Sequence, residues 1–452
     1  MSSYKRKKTP ADTDWLVHDR FGMFIHFGLY ALPARHEWIK TMEEMDDEAY
    51  DRYFENFNPD LFDAREWARA AKAAGMKYAV LTSKHHEGFC LFDSQYTDYK
   101  ITNTPFGRDL IAEYVEAFRE AGLKVGIYYS LIDWHHPHFP IDVIHPQREH
   151  PDGAALDSGR DMKIYAEYMR NQVRELLTNY GKIDILWFDF AYPNPDVKQI
   201  FGFAKGITSD PNPKPWMQYN GAKGPEHFEA EKLIALAREI SPDTILNDRT
   251  GIPQDVTTPE QSQPKSWVRD QKTGEKLTWE VCHTFSGSWG YNRDETTWKS
   301  PKMLIDTLIK TVACGGNLLM NVGPTSRGKF DKRATRALEA YGEWMGANSR
   351  SIYGCTMAEP EFKAPHGTAL TQSEDGKRLY VHFLEYPFAT FDMPELLGRV
   401  KYAQFLSDGS EVLYSEKTLK NHNTGETYKT LAFKLPTIPP DEITPVIEII
   451  LK

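Results

Sequence analysis

Cysteine is scarce in this chain, with 4 residues among 452. They are Cys90, Cys282, Cys314 and Cys355, and no two of them form a C-x-x-C pair. A disulfide framework or a structural zinc site needs paired or clustered cysteines, which this spacing does not offer. All four lie in apolar or glycine-rich surroundings, so the sequence predicts buried thiols.

A basic block and a long apolar run are also missing. The net charge is -10 with both signs scattered along the chain, so no nucleic-acid partner is predicted. No apolar run is long enough to span a bilayer, and no membrane partner is predicted. Residues 1–15 are basic but lack the apolar core of a secretory signal. We therefore expect a cytoplasmic protein, or a periplasmic or secreted one whose signal has been removed.

Two patterns of well-known sites are absent as well. The zinc-hydrolase pattern H-E-x-x-H does not occur, and the adjacent His85 and His86 point to opposite faces of a strand unless the chain bends there. A metal-dependent hydrolase is therefore a weak alternative, and neither a metal nor a cofactor is predicted. No glycine-rich dinucleotide turn follows the first apolar run at residues 21–32, which argues against a nucleotide-binding open sheet.

The chain does show an alternation of apolar strands with amphipathic helices. Strands are predicted at residues 21–32, 76–84, 123–132, 183–190, 244–247 and 316–322. The helix between the first two is predicted over residues 63–75, with Asp63 as its N-cap and Gly75 as its stop. Such alternation requires parallel βαβ units. The sequence therefore predicts an α/β fold, a (β/α)8-like TIM barrel over residues 14–357, with an open doubly wound sheet as the alternative.

The two ends of the chain have a different character. Residues 358–452 contain strand-like segments without helices between them, separated by turn signals such as E-D-G-K and S-D-G-S. A small C-terminal antiparallel β-sandwich is therefore predicted. Residues 1–13 are polar and are predicted to be a disordered tail.

Polar residues recur where the predicted barrel strands end. The residues at these ends are His26, His85, His86, Tyr128, Asp189 and Arg249. In a parallel barrel the chemistry is located at the carboxyl ends of the strands. A single histidine in an apolar run is more often a core residue, but packing alone does not explain this repetition.

Residues 183–193, I-D-I-L-W-F-D-F-A-Y-P, place an acid beside an aromatic ring. Asp189 ends the strand, and Trp187 lies on the same side because side chains alternate along a strand. An acid beside an aromatic wall fits a sugar site. An aspartate that ends a strand and caps the next turn explains this stretch equally well on its own.

A glycosidase needs a second carboxyl group besides the first. The candidates on other loops of the same barrel face are Glu260, Glu280, Glu87 and Glu37. Sequence spacing does not choose among them, because the separation that matters is a distance in space.

With these residues in view, the chain resembles glycoside hydrolase family 29, the α-L-fucosidases. The resemblance runs from about Trp15 to Cys355, and the predicted β-sandwich is also like that of the family. It rests on seven motifs in the same order: F-G-M-F-I-H-F-G-L-Y with E-W, K-H-H-E-G-F, G-I-Y-Y-S, W-F-D, N-D-R, G-S-W-G-Y-N and G-G-N-L-L-M-N-V-G-P. Each motif alone is weak evidence, whereas their shared order is specific.

The resemblance implies a retaining exo-glycosidase that hydrolyses terminal α-L-fucosides of oligosaccharides or glycoconjugates. It implies that Asp189 is the nucleophile, and it makes Glu260 the acid/base with Glu280 in reserve. The residues implied to hold the sugar are His26, Glu37, Trp38, His85, His86, Tyr128 and Arg249, with Trp187 and Trp289 as aromatic walls.

Some positions depart from the family pattern. Glu87 stands where the family often has Asp in K-H-H-D-G-F, Thr250 follows N-D-R in place of Trp, and Phe190 follows W-F-D in place of Gly or Met. Residues 194–223 resemble an insertion near the cleft. Phe190 and the insertion bear on the aglycone and on the preferred glycone. An α-L-galactosidase-like relative and a non-catalytic carbohydrate-binding barrel therefore stay open, as does assembly into a homo-oligomer.

Overall fold

Parallel strands form the core of the larger part of the molecule. The computed structural model describes residues 5–191, 204–207, 210–219, 223–420, 423–441 and 443–452. The parallel strands are β1 Phe21–Ile25, β2 Tyr78–Lys84, β3 Lys124–Ser130, β4 Ile185–Asp189, β5 Ile245–Leu246, β6 Glu280–Thr284 and β7 Asn317–Val322. They are arranged in the order β5-β4-β3-β2-β1-β7-β6. Every residue of β1, β2, β6 and β7 is buried, as expected for strands covered on both faces.

A short extended stretch at residues 256–260, here called the closing segment, fills the gap between β5 and β6. Its parallel pairings on the two sides are Asn247 with Val256, Thr257 with Trp279 and Glu260 with Cys282. The backbone N–H of Glu280 donates to the carbonyl of Thr257 at 2.9 Å. The closing segment therefore joins the two edges of the curled sheet, and the predicted TIM-barrel class is confirmed.

Helices surround the parallel sheet. Those in the described part of the chain are α1 Asp14–Asp19, α2 Ile39–Met42, α3 Asp47–Glu55, α4 Ala64–Ala73, α5 Leu110–Glu120, α6 Gly153–Asp157, α7 Met162–Thr178, α8 Ala230–Ile240, α9 Pro301–Ala313 and α10 Lys332–Asn348. As predicted, the Asp63 carboxylate caps α4 by accepting from the N–H groups of Arg65 and Glu66. Gly75 has a φ of 83° just after this helix, a conformation that glycine adopts without strain. None of the helices seen within the described ranges is long and apolar enough to cross a bilayer.

Two antiparallel sheets form the C-terminal part, as the predicted β-sandwich requires. Their strands are β8 Cys355–Met357, β9 Thr368–Ser373, β10 Arg378–Phe383, β11 Thr390–Asp392, β12 Val400–Phe405, β13 Tyr414–Lys420, β14 Thr427–Lys434 and β15 Val446–Leu451. The sheet orders are β12-β15-β10-β9-β8 and β11-β14-β13. Because β8 pairs with β9, the sandwich begins at Cys355, slightly before the boundary predicted at residue 358.

The N-terminal segment differs from its prediction. The predicted disordered tail at residues 1–13 is wrong for residues 5–13, which cross the end of the barrel where the strands begin. The N–H of Ala11 donates to Oδ1 of Asp255 at 3.0 Å, and the N–H of Lys7 donates to the carbonyl of Lys276 at 2.8 Å. Polar composition suggested disorder, but polar and backbone groups of the barrel supply the partners here.

The four cysteines are all free thiols. Cys90, Cys282 and Cys355 are buried, as predicted, whereas Cys314 is half-buried. Burial raises the pKa of the Cys90 thiol to about 12, which makes it a poor nucleophile at neutral pH.

Candidate active site

A cavity of about 700 Å³ opens at the carboxyl end of the barrel strands. Every residue predicted for the site lines it: Asp189, Glu260, His26, Glu37, Trp38, His85, His86, Tyr128, Trp187, Arg249 and Trp289. Parallel strands deliver their carboxyl ends to one face of a barrel, which explains why residues far apart in sequence meet there. The structure therefore brings the whole predicted set together, while the role of each residue stays a prediction.

Arg249 bridges the two carboxylates predicted to be catalytic. Its Nη1 lies 3.2 Å from Oδ1 of Asp189, and its Nη2 lies 2.9 Å from Oε2 of Glu260. The guanidinium is itself fixed, because Nε donates to Oγ1 of Thr258 at 2.9 Å and the group lies 5.1 Å from the ring centre of Trp187. One rigid cation thus holds both acids next to each other.

The environment of Asp189 combines burial with groups that favour its charged form. Burial raises the pKa of Asp189, and the Arg249 charge opposes that rise. The hydroxyl of Tyr128 donates to Oδ2 of Asp189 at 2.9 Å, which also favours the carboxylate. Although burial lowers the pKa of Arg249, the charges of Asp189 and Glu260 raise it above its usual range, so the bridge stays charged.

The histidines of the cavity floor include two neutral rings with defined partners. Burial lowers the pKa of His26 and of His86 well below the usual value, and the neighbouring His85 adds to the effect. Nδ1 of His26 lies 2.6 Å from Oδ1 of Asn321, whose amide nitrogen donates to the carbonyl of Trp289. That arrangement makes Nδ1 of His26 the donor and leaves Nε2 as an acceptor.

Glu37 connects two loops of the cavity wall. It is 1% exposed, and its Oε2 accepts from the backbone N–H groups of Trp289 at 3.1 Å and Gly290 at 2.8 Å. The loop that follows β1 is thereby tied to the loop that follows β6. Besides its predicted contact with the sugar, Glu37 therefore fixes the position of Trp289.

Aromatic rings supply the apolar faces of the cavity. The Trp187 ring stacks on Tyr128 at 5.7 Å between centres, and the Trp289 ring lies 5.1 Å from that of His26. Trp38 packs at 5.5 Å from Phe190, which has a φ of 82° directly after Asp189. This left-handed turn ends β4 and directs Phe190 to the cavity wall.

The other candidate carboxyls do not line the cavity, apart from Glu37. Glu280, named as the reserve acid/base, is buried inside the barrel, where its Oε2 accepts from the Tyr78 hydroxyl at 2.6 Å. Burial raises the pKa of Glu280 to about 7. Glu87 is also buried, behind His85. Among the candidates for the second acid, only Glu260 and Glu37 therefore line the cavity, and the role of Glu260 stays a prediction.

Sequence reasoning missed part of the cavity wall. The further lining residues are Phe24, His36, Met42, Phe190, Gly206, Ile207, Gln261, Cys282 and Gly287. Gly206 and Ile207 belong to the predicted insertion at residues 194–223, much of which lies outside the described residues. Phe190 and the insertion that contains Gly206 and Ile207 were singled out as departures from the family pattern, whereas no pattern in the sequence marked the other six residues.

Comparisons with known proteins agree with this geometry. The family model described as Alpha-L-fucosidase matches residues 2–350. The structure is similar to that of α-L-fucosidase isoenzyme 1 from Paenibacillus thiaminolyticus, with a TM-score of 0.83 and 41% identity over 97% of this chain and 98% of that one. It is also similar to Thermotoga maritima α-fucosidase in complex with a mechanism-based inhibitor, with a TM-score of 0.73 and 27% identity over 96% of each chain.

A curated relative gives the same result from sequence. Human plasma α-L-fucosidase is 29% identical over 406 residues, which cover 82% of this chain and 76% of the relative. The family model alone spans well over half of the chain. The chain therefore belongs to the α-L-fucosidase family of glycoside hydrolases, family 29.

Proposed function

We propose that this protein is a retaining exo-α-L-fucosidase in which Asp189 is the nucleophile and Glu260 is the acid/base. The observation that carries the assignment of roles is the Arg249 bridge between these two carboxylates, at the edge of a cavity lined by histidines and aromatic rings. The similarity to a fucosidase solved with a mechanism-based inhibitor supports the same mechanism. The substrate is a fucosylated glycan.

The first half of the reaction follows from the two acids. A carboxylate oxygen of Asp189 attacks the anomeric carbon and forms a glycosyl–enzyme ester bond while the bond to the leaving oxygen breaks. Glu260 gives its proton to that leaving oxygen. The positive charge of Arg249 stabilises Asp189 as a carboxylate before the attack.

The second half reverses the roles. Glu260, now deprotonated, accepts a proton from a water molecule, and the water oxygen attacks the anomeric carbon. The ester bond to Asp189 breaks and the carboxylate is restored, with Arg249 and the Tyr128 hydroxyl again as its partners. Two inversions at one carbon give net retention of configuration.

The glycone preference depends on the wall opposite C6 of the sugar. Fucose carries a methyl group there, whereas L-galactose carries a CH2OH group. Trp289 offers this wall an apolar indole face, held in place by Glu37. An apolar surface favours the methyl group because a buried hydroxyl without a partner costs free energy. We therefore propose fucose in preference to L-galactose.

The test is to trap the intermediate. Incubation with a 2-fluoro-fucosyl fluoride, followed by proteolysis and mass spectrometry, is expected to show a fluorofucosyl adduct on the peptide that contains Asp189. Hydrolysis of p-nitrophenyl α-L-fucoside is compared with that of the α-L-galactoside in parallel. An active enzyme with the adduct on another residue would disprove the nucleophile, and sugar binding without turnover would favour a non-catalytic barrel.

A further inference from the structure

Glu87 is a carboxylate that the proposed reaction does not use. It follows His85 and His86 on the turn after β2, and it is 1% exposed. It does not line the cavity, whereas both histidines do. A buried carboxylate next to a cavity needs compensating partners, because the charged form is otherwise costly inside a protein.

One such partner is the imidazole of His85. Oε2 of Glu87 lies 3.4 Å from Nδ1 of His85, and that nitrogen has no direct hydrogen-bond partner in the described part of the chain. A carboxylate accepts hydrogen bonds and donates none, so it favours the tautomer with the proton on Nδ1. The opposite ring nitrogen, Nε2, then carries a lone pair on the side of the cavity.

Buried hydroxyl groups near Glu87 are also without direct partners. Neither carboxylate oxygen of Glu87 has a direct hydrogen bond to any described residue, and the same holds for the hydroxyls of Tyr50 and Tyr99. Burial raises the pKa of both tyrosines well above the usual range, and the Glu87 charge raises it further.

We propose that Glu87 is a positioning residue that holds His85 in the Nδ1–H tautomer, so that Nε2 of His85 accepts a hydrogen bond from a sugar hydroxyl. This arrangement is the counterpart of His26, whose Nδ1 faces Asn321, and of His86, whose Nδ1 lies 2.7 Å from Oγ of Ser130. The statement about the sugar rests on the proposed function; the statement about the tautomer does not.

The tautomer is tested by nitrogen NMR of the full-length protein labelled with 15N-histidine, with the His85 signals assigned by comparison with His85→Gln. The wild-type protein is expected to show His85 protonated at Nδ1. The variant Glu87→Leu, which removes the acceptor, is expected to shift the ring toward the Nε2–H form. Ser130→Ala is the matched control, because it removes the Nδ1 partner of His86 and leaves that of His85 in place.

Kinetics test the link to the sugar. With p-nitrophenyl α-L-fucoside, Glu87→Leu is expected to lower kcat/KM by about 10–100-fold, by analogy with the loss seen when the partner that orients a metal-binding histidine is removed. Glu87→Asp, which restores a carboxylate, is expected to recover part of that loss. With the deoxy-fucoside that lacks the hydroxyl bound by His85, the loss is expected to disappear.

Two outcomes would overturn the inference while leaving the proposed function intact. One is a wild-type His85 protonated at Nε2, a result that is measured on the wild-type protein and therefore does not depend on whether Glu87→Leu folds. The other is an equal loss of kcat/KM with every deoxy-fucoside. An enzyme that cleaves no fucoside would instead overturn the proposed function, and the tautomer would still be measured.

Discussion

At the residue scale, Arg249 is the side chain shared by the two proposed catalytic acids. Its charge opposes the rise that burial gives to the pKa of Asp189. Arg249→Met removes that charge, so the pKa of Asp189 is expected to rise further. The acidic limb of kcat/KM, where Asp189 becomes protonated, is then expected to move to higher pH by about 1–3 units.

The control for this prediction is Arg249→Lys, which keeps a positive charge but loses the planar guanidinium that contacts both acids. Its acidic limb is expected to move less than that of Arg249→Met, although its activity falls too. The measurement is a pH profile of p-nitrophenyl α-L-fucoside hydrolysis for the three proteins. An acidic limb at the same pH in all three would show that Arg249 does not set the ionisation of Asp189.

Substitution of either acid is expected to lower activity, but only the effect of substituting Glu260 is expected to depend on the leaving group. Asp189→Asn removes the attacking oxygen, so kcat is expected to fall by on the order of 10⁴-fold or more with any substrate. Glu260→Gln removes proton donation, which is worth roughly 10²–10⁴-fold. Measured as kcat/KM, which reports the first half of the reaction alone, that second loss is expected to be small for p-nitrophenol, which leaves without a proton, and large for a sugar. Equal losses of Glu260→Gln with both substrates would contradict the role of acid.

Glu280 allows a prediction about stability. Its folded-state pKa of about 7 is above that of an exposed glutamate. As the pH rises from about 4.5 to 7, the unfolded chain releases this proton while the folded protein keeps it, so stability falls over this window. Glu280→Gln removes the effect, because the amide does not titrate. The variant is therefore expected to gain roughly 3 kcal/mol relative to wild type between pH 4.5 and pH 8.

The measurement is the free energy of unfolding in denaturant at both pH values. The Gln side chain keeps an oxygen that accepts from the Tyr78 hydroxyl, so the packing of the site is preserved. A difference between Glu280→Gln and wild type that stays the same at both pH values would show that Glu280 does not titrate in this window.

At the scale of elements, the closing segment depends on one buried carboxylate just before it. Oδ2 of Asp255 accepts from Nη2 of Arg238 at 2.5 Å and from the N–H of Leu246 at 2.8 Å, while Oδ1 accepts from Ala11. Asp255→Ala leaves the N–H groups of Leu246 and Ala11 without these partners and removes the carboxylate that faces Arg238. It is expected to lower the free energy of unfolding by about 3–5 kcal/mol. Because Glu260 ends the closing segment, kcat is also expected to fall.

Denaturant unfolding and p-nitrophenyl fucoside kinetics measure the two effects. The matched control is Asp294→Ala, which removes an exposed carboxylate paired with the exposed Arg293 and is expected to leave both quantities essentially unchanged. If Asp255→Ala is as stable and as active as Asp294→Ala, the closing segment does not depend on Asp255.

The elements also show which features a sequence can predict. The strands that alternate with helices were predicted with their order and class, because apolar runs flanked by capped helices have a clear pattern. β6 and the closing segment were not predicted. In the structure no helix separates β5 from β6, and β6 carries Glu280, His283 and Thr284, so neither length nor hydrophobicity marks it as a strand.

The sequence could predict which residues form the site, but not which of them contact one another. Strand ends in a parallel barrel converge, so Asp189, His26 and Arg249 were expected to meet. The Arg249 bridge, the loop contact of Glu37 and the buried position of Glu280 depend on distances between loops, which no spacing in the sequence contains. Ile207 and Met42 reach the cavity from a turn and from the short helix α2, which are too short for a periodicity to guide a prediction.

At the scale of the whole molecule, the barrel and the β-sandwich share apolar packing. Ala369, Tyr380, Leu406 and Val446 of the C-terminal part belong to the same buried cluster as the residues of the barrel core. Nε1 of Trp344 in α10 donates to the carbonyl of Thr444 at 3.2 Å. Because the two parts are packed together in this way, they are expected to unfold in a single calorimetric transition.

The variant Trp344→Ala tests this coupling. It is expected to cost about 3–5 kcal/mol and to lower the midpoint of the whole transition, since the indole is buried at the junction. Phe388→Ala is the control, because that ring is 84% exposed. Two resolved transitions, or a Trp344→Ala effect confined to one of them, would show that the parts unfold independently.

The position of β1 between β2 and β7 also governs how the chain acquires its structure. Phe21 pairs with Leu318, so one of the earliest strands in the sequence keeps an open edge until one of the last barrel strands is available. Contacts that join such distant positions form late, because the chain must lose the conformational entropy of a long loop before the contacts can stabilise it. Refolding from denaturant is therefore expected to be slow, with partly assembled species that expose the edge of β1 and aggregate at high protein concentration.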